Sequence, residues 1–275
     1  MVAIKKEDVK NTDEGHIFDG KSWRKVGAVL PPVFDKGHLG AIVGATEEVP
    51  LVPESEWRPI QIADIEHAIP VRKDQGSTSQ CVAFGWSSMM EASLLLQGLP
   101  APYFSPPNLY TRICGGWDAG ASPDMAAQEL LKNGMATKGY LGIDDLAWSR
   151  GCPKGWTNDP ELHFAGEIAY AGGFKECVSA IMLGFVCGIS IDCGRVFQPH
   201  DTLIPGVKGV IPDKRGSGGG HWMFAIGFDW LGEAKEPHLL VDNSWGQGWA
   251  DNGLCWLNET YSPEGICLRW AKKRE

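Results

Sequence analysis

Nowhere does this 275-residue chain carry the run of roughly 18 apolar residues that a membrane-spanning helix requires, so no helical span is expected. Positive charge is also scarce. Against 34 Asp and Glu stand 25 Lys and Arg, a formal net charge of −9, and the only basic run is the closing Lys272-Lys273-Arg274. That balance argues against a nucleic-acid surface. No two cysteines stand at Cys-x-x-Cys spacing and no histidine accompanies one at ligand spacing, which argues against a structural zinc. Met1 to Gly15 is rich in Lys, Asp and Glu and has no apolar core, unlike a secretory leader, so a cytoplasmic or particle-associated location is expected. The first 50 residues also lack any long amphipathic helix, because Pro31-Pro32, Gly37 and Gly40 interrupt the apolar stretch from Val26 to Val43.

What the chain does hold is ample core material: 43% hydrophobic residues and 12 Trp, enough for one large or two small domains. The stretch with the most chemistry in it is Gln75-Gly76-Ser77-Thr78-Ser79-Gln80-Cys81-Val82-Ala83-Phe84, a polar turn delivering a cysteine to the start of an apolar, helix-compatible run. A helix N-terminus presents unpaired N–H groups and partial positive charge, which favours thiolate. Apolar residues from Ala83 to Leu96 suit a buried helix of about five turns, with Gly98 and Pro100 as the stop. On this segment alone, an activated thiol and a small core hydrophobe are equal readings of Cys81.

Two further stretches stand out. Ser217-Gly218-Gly219-Gly220-His221 places a histidine after residues that permit close backbone approach, and Trp222 to Phe228 reads as a buried strand. Val241-Asp242-Asn243-Ser244-Trp245-Gly246-Gln247-Gly248-Trp249 follows the strand-like His238-Leu239-Leu240. Asn243 is able to accept from one imidazole nitrogen so that the other faces a thiol, while Trp245 covers that bond from water. Trp249 reads as plain packing.

These motifs together resemble the papain-like cysteine peptidases. Gln75-Gly76, Cys81 and Ala83-Phe84 are similar to the nucleophile segment Gln-Gly-x-Cys-Gly-Ser-Cys-Trp-Ala-Phe, and Glu56-Trp57-Arg58 with Ile69 to Asp74 resembles what precedes it. Ser105-Pro106-Pro107-Asn108-Leu109-Tyr110 resembles the opening of that family's next helix, and the Asn243 segment is similar to Lys-Asn-Ser-Trp-Gly-x-x-Trp-Gly-x-x-Gly. The 140 positions between Cys81 and His221 fall within the roughly 130 to 150 known for papain-type pairs. Departures are Thr78 for a cysteine, Val82 for tryptophan, Ala250 for glycine, and Asp118-Ala119-Gly120-Ala121 where a cysteine and a Gly-Gly pair are usual. The resemblance covers about residues 51 to 275.

The resemblance implies an α+β, two-lobed fold: a helical lobe at about 70–165, a β-barrel-like lobe at about 166–270, and a cleft between them. It implies a peptidase needing no cofactor or metal, with Cys81 as nucleophile, His221 as acid and base, Asn243 as orienting group and Gln75 as oxyanion donor. Gly120, Ala121, Ser122, Gly220 and Trp245 are the implied substrate-binding residues, and a peptide or protein is the implied substrate. Loss of both partners of the bridge beside the nucleophile implies a reducing compartment, and reserving Cys81 leaves seven of eight cysteines, an odd number. Residues 1–50 resemble no helical prosegment; an ordered arm packed on the body is the first expectation, with an attachment device for self-association or an assembly partner preferred to a cleft plug. Two rivals remain: a catalytically silent body serving a larger assembly, and a hydrolase of cell-wall peptides or isopeptides on the same fold.

Overall fold

The computed structural model describes residues 16–19, 21–28, 51–61 and 72–274. Most of the arm's apolar stretch, and the Ile69-Pro70-Val71 match, lie outside them. Short strands β1 (His16–Phe18) and β2 (Trp23–Lys25) pair as a hairpin, and β3 (Ile60–Gln61) adds to the main sheet.

Helix α1 (Cys81–Leu96) is buried from its first residue to Leu94. A helix apolar on every face belongs in an interior, which is why this one has no polar stripe. Around it lie α2 (Pro106–Ile113), α3 (Pro123–Asn133) and α4 (Lys138–Leu141). Each starts where the sequence offers a hydroxyl cap: Ser105, Ser122 and Thr137 accept from the backbone N–H three residues on. Proline stands in the first turn of α2 and α3, where its missing N–H has no bond to lose.

The second half is mainly antiparallel sheet. Strands β4 (His163–Ala165), β5 (Ile168–Ala171), β6 (Val186–Asp192), β7 (Gly220–Leu231), β8 (Glu236–Asp242), β9 (Leu254–Asn258), β10 (Glu264–Leu268) and β11 (Ala271–Lys273) are joined with α5 (Phe174–Met182). The main sheet runs β5-β10-β6-β7-β8-β9, with β3 on β7, and β4 pairs with β11 separately. The expected β-rich half is thus present as an antiparallel sheet whose path runs from β5 to β9, with no closed barrel among the described residues. Side-chain alternation divides the core in two. Trp222, Phe224 and Ile226 face α1, while Met223 and Ala225 face the cluster that includes Val178 and Ile181 of α5. A bulge between Ala225 and Gly227 then shifts the register, and Phe228 joins the second cluster.

The sheet is docked on α1 by Trp222. Its indole lies parallel to Trp86, ring centroids 6.1 Å apart, in a slot floored by two glycines. A Cβ at Gly85 would stand 2.5 Å from the indole, and one at Gly188 would stand 2.1 Å from it. Those close approaches fix the helix that starts with Cys81 against the strand that carries His221.

Candidate active site

Cys81 is the first residue of α1, after a turn whose polar groups are bonded mostly to each other and to the opposite wall. Gln75 is fully buried, and its N–H donates to Ser244 O at 2.9 Å. Ser244 Oγ donates to Gln75 Oε1 at 2.6 Å, which fixes the amide with Nε2 turned toward Thr78 O at 2.7 Å and Lys25 O at 3.2 Å. Residues 72 to 75 thereby staple the helical wall to the segment carrying Asn243. Arg72 pairs with Asp242 at 3.0 Å, Gly246 N–H donates to Lys73 O at 2.9 Å, and Lys73 Nζ reaches Glu91 of α1 at 2.8 Å. All four of these charged side chains are buried.

On the opposite wall, His221 is the second residue of β7, and Asn243 directly follows β8. His221 Nε2 lies 2.8 Å from Asn243 Oδ1, so Nε2 carries the proton and donates. Nδ1 is buried without a partner among the described residues. Trp245 stacks on the imidazole, centroids 4.9 Å apart and planes 25° apart, covering the His221–Asn243 bond. Behind it Trp249 and Phe197 stack on one another at 5.9 Å, each edge-on to Trp245. Cys81, Trp222 and Ala28 pack in one core cluster, so the two walls meet beside the thiol, and the backbone N–H of Trp222, the residue after His221, acts to favour its ionised form.

The arm passes between them. Gly27 O accepts from Ala121 N–H at 2.7 Å and Ala28 N–H donates to Gly220 O at 2.9 Å, while Ala28 bridges to Ala121 in the parallel sense. The N–H of Gly27 likewise acts to favour the ionised form of Cys81. Lys25 Nζ bonds Asp118 O and Oδ2 at 2.8 and 2.9 Å, Lys21 Nζ bonds Gly248 O at 2.9 Å, and Arg24 lies 3.4 Å from Asp74. Passage is tight at Gly27, where a Cβ would stand 2.5 Å from Ser79 Cβ and 2.8 Å from Gly120 Cα. Gly120, Ala121 and Gly220, singled out as substrate-binding, thus surround residues 27 and 28. Ser122 instead caps α3, and Trp245 serves the histidine.

Solved structures similar to this chain include cysteine proteases. No family model matches the chain. It is similar to the cysteine protease and lectin-like domains of Cwp84, a surface-layer-associated protein of Clostridium difficile, at 16% identity and TM-score 0.63, over 86% of this chain and 57% of that one. It is also similar to proCathepsin B of Trypanosoma congolense, at 14% identity and TM-score 0.60, over 86% and 87% of the two chains. Bromelain of Ananas comosus matches at 17% identity and TM-score 0.56, over 80% of this chain and all of that one. The chain has the papain-like fold.

Within this papain-like cleft the electrostatics differ from those expected of an activated pair. Cys81 and His221 are both fully buried. Burial pushes the thiol above its usual value despite the N–H groups of Trp222 and Gly27, and it pulls the His221 imidazole down to about 4. The neutral thiol and neutral imidazole are favoured while residues 24 to 28 lie in place. The helix N-terminus still favours thiolate, but excluding water outweighs it. Three features escaped the sequence reading: Asp118 as an ion-pair partner, the Lys73–Glu91 pair, and Phe197 behind Trp245. Glu91 in an apolar helix was the one visible hint of the second.

Proposed function

We propose that the chain is a cysteine peptidase held latent by its own residues 24 to 28. The observation that carries this reading is the imidazole of His221, bonded through Nε2 to Asn243, its Nδ1 unpartnered, on the wall facing Cys81. When the arm leaves, water returns to the thiol and imidazole, and proton transfer from Cys81 to His221 Nδ1 becomes favourable. The thiolate then attacks a peptide carbonyl carbon, while Gln75 Nε2 donates to the oxyanion. Collapse breaks the C–N bond, and His221 Nδ1 gives its proton to the leaving amine. Water next attacks the thioester carbon, its proton passes to His221, and the C–S bond breaks to release the acid and restore the thiol.

The arm is suited to block this sequence rather than undergo it. Its Lys25 carbonyl occupies the Gln75 Nε2 donor, and Ala28 bridges Ala121 in the parallel sense. Labelling with an epoxide thiol trap, read by mass spectrometry, tests the reading on the full chain and on Gly27→Val. The expected result is slow labelling of the parent and fast labelling of Cys81 in the variant, abolished by His221→Ala. Labelling of Cys81 no faster than an ordinary exposed thiol in both proteins would leave a catalytically silent body. Fast labelling of the parent would remove the latency. A change in oligomeric state without a change in labelling would favour the arm as an attachment device.

A further inference from the structure

Asp118 is held as a cation receptor by bonds that belong to the body. Its Oδ1 accepts from Ser79 N–H at 2.8 Å and from Tyr110 O–H at 2.9 Å. Tyr110 Oη in turn accepts from Gly120 N–H at 3.2 Å. The carboxylate is thereby oriented from two sides, leaving Oδ2 for the cleft, while the Asp118 carbonyl accepts from Ser79 Oγ at 3.2 Å and from the cleft side as well. Both are taken by one ammonium group, that of Lys25. The pair is neither dry nor fully wet: the side chains are 26% and 23% exposed. Its bond to Lys25 and those to Ser79 and Tyr110 hold Asp118 below its ordinary carboxylate value, so it stays ionised near neutrality.

The position of Lys25 matters as much as its charge. Its carbonyl is the one arm group that accepts from Gln75 Nε2, the donor assigned to the oxyanion. Lys25 therefore presents a backbone carbonyl to the oxyanion donor and a cation to Asp118 from a single residue. Resting on the peptidase reading above, we infer that Asp118 selects peptides with lysine or arginine at the residue supplying the scissile carbonyl, and that Lys25 occupies that subsite in the latent chain. The subsite is short and open to water at its rim, which suits a long, flexible cationic side chain that keeps its head partly hydrated. A neutral side chain would leave the carboxylate with its two body donors and no counter-charge, a difference rather than a block.

The test uses full-length Gly27→Val, whose added methyls cannot pass Ser79 and Gly120, and a series of fluorogenic peptides differing only at the residue before the scissile bond. The expected result is a kcat/KM about fivefold higher for Lys or Arg than for Gln or Met, carried mainly by KM, as a half-exposed ion pair of ~1 kcal/mol would give. In Gly27→Val with Asp118→Asn the ratio should fall to about one. Equal rates for charged and neutral peptides, or a preference that survives Asp118→Asn, would overturn the inference and leave Asp118 as a latch for the arm. If no peptide is cut, the peptidase reading fails separately, and binding decides the subsite. A synthetic peptide of residues 21–28 should then bind Gly27→Val more tightly than its Lys25→Gln form, with the difference lost on Asp118→Asn; equal binding would sink the subsite. Should Gly27→Val not fold, Lys25→Glu in the intact chain, which sets two carboxylates together, is the alternative for displacing the arm.

Discussion

Two sets of ion pairs fasten this molecule, and they differ in the water around them. Lys73–Glu91 and Arg72–Asp242 lie where the two walls of the cleft join, with side chains at most 6% exposed. Lys25–Asp118 and Arg24–Asp74 hold the arm, with side chains 21% to 50% exposed. Removing one member of a buried pair leaves an uncompensated charge in the interior, so the first set behaves as permanent structure. Screened, half-wet pairs contribute little each, so the second set is suited to release. The additional bonds of Lys73 Nζ to Ser87 Oγ and of Glu91 Oε1 to Phe104 N–H sharpen the contrast, because they tie the inner pair into one buried network.

The comparison is broken most forcefully at the inner set. Lys73→Met should destabilise the chain by about 3–5 kcal/mol, seen as a large fall in urea midpoint, because Glu91 loses its counter-charge in a site whose burial already raises its carboxyl. A loss under 1 kcal/mol would erase the distinction between the two sets. At the arm, Gly27→Val should lower the midpoint by no more than the free energy that holds the arm, while raising the Cys81 alkylation rate. If the arm's bonds together hold it by ~3 kcal/mol, the open fraction is about 1% and the rate rises roughly 100-fold.

Acid sharpens the same division. A His221 imidazole held at about 4 in the folded chain, against 6.5 as its ordinary value, means that the unfolded chain binds the extra proton first. Stability is therefore full above pH 6.5 and lost as pH falls from 6.5 toward 4, by an amount of order 3 kcal/mol. His221→Gln should flatten that part of the pH profile in thermal melts. Raising salt from 0.1 to 1 M should speed alkylation of the parent severalfold and leave its urea midpoint alone, since only the outer pairs are screened. The smallest effect expected is none: all eight cysteines are free, so a reductant should not move the melting temperature.

The chemistry of the site was legible because it is carried by side-chain identity at short range. A cysteine opening a helix, a histidine after three glycines, and Asn243 before Trp245 each keep their local setting in the structure. The helix starts were readable for the same reason, since a hydroxyl cap and a first-turn proline act within four residues. Strand order was not, because the neighbours in a sheet are set by which strands meet, and β10 inserts between β5 and β6 from far along the chain. Nor was the protonation state of the thiol: helix position is a local property, but desolvation depends on what covers the group. What covers Cys81 is Gly27, 54 positions earlier and within a stretch whose composition says only that it forms no long helix. Sequence alone therefore picked out Cys81, His221 and Asn243 as the candidate residues; only the tertiary structure decided that the arm lies across them, because contact between distant segments is fixed by packing rather than by local propensity.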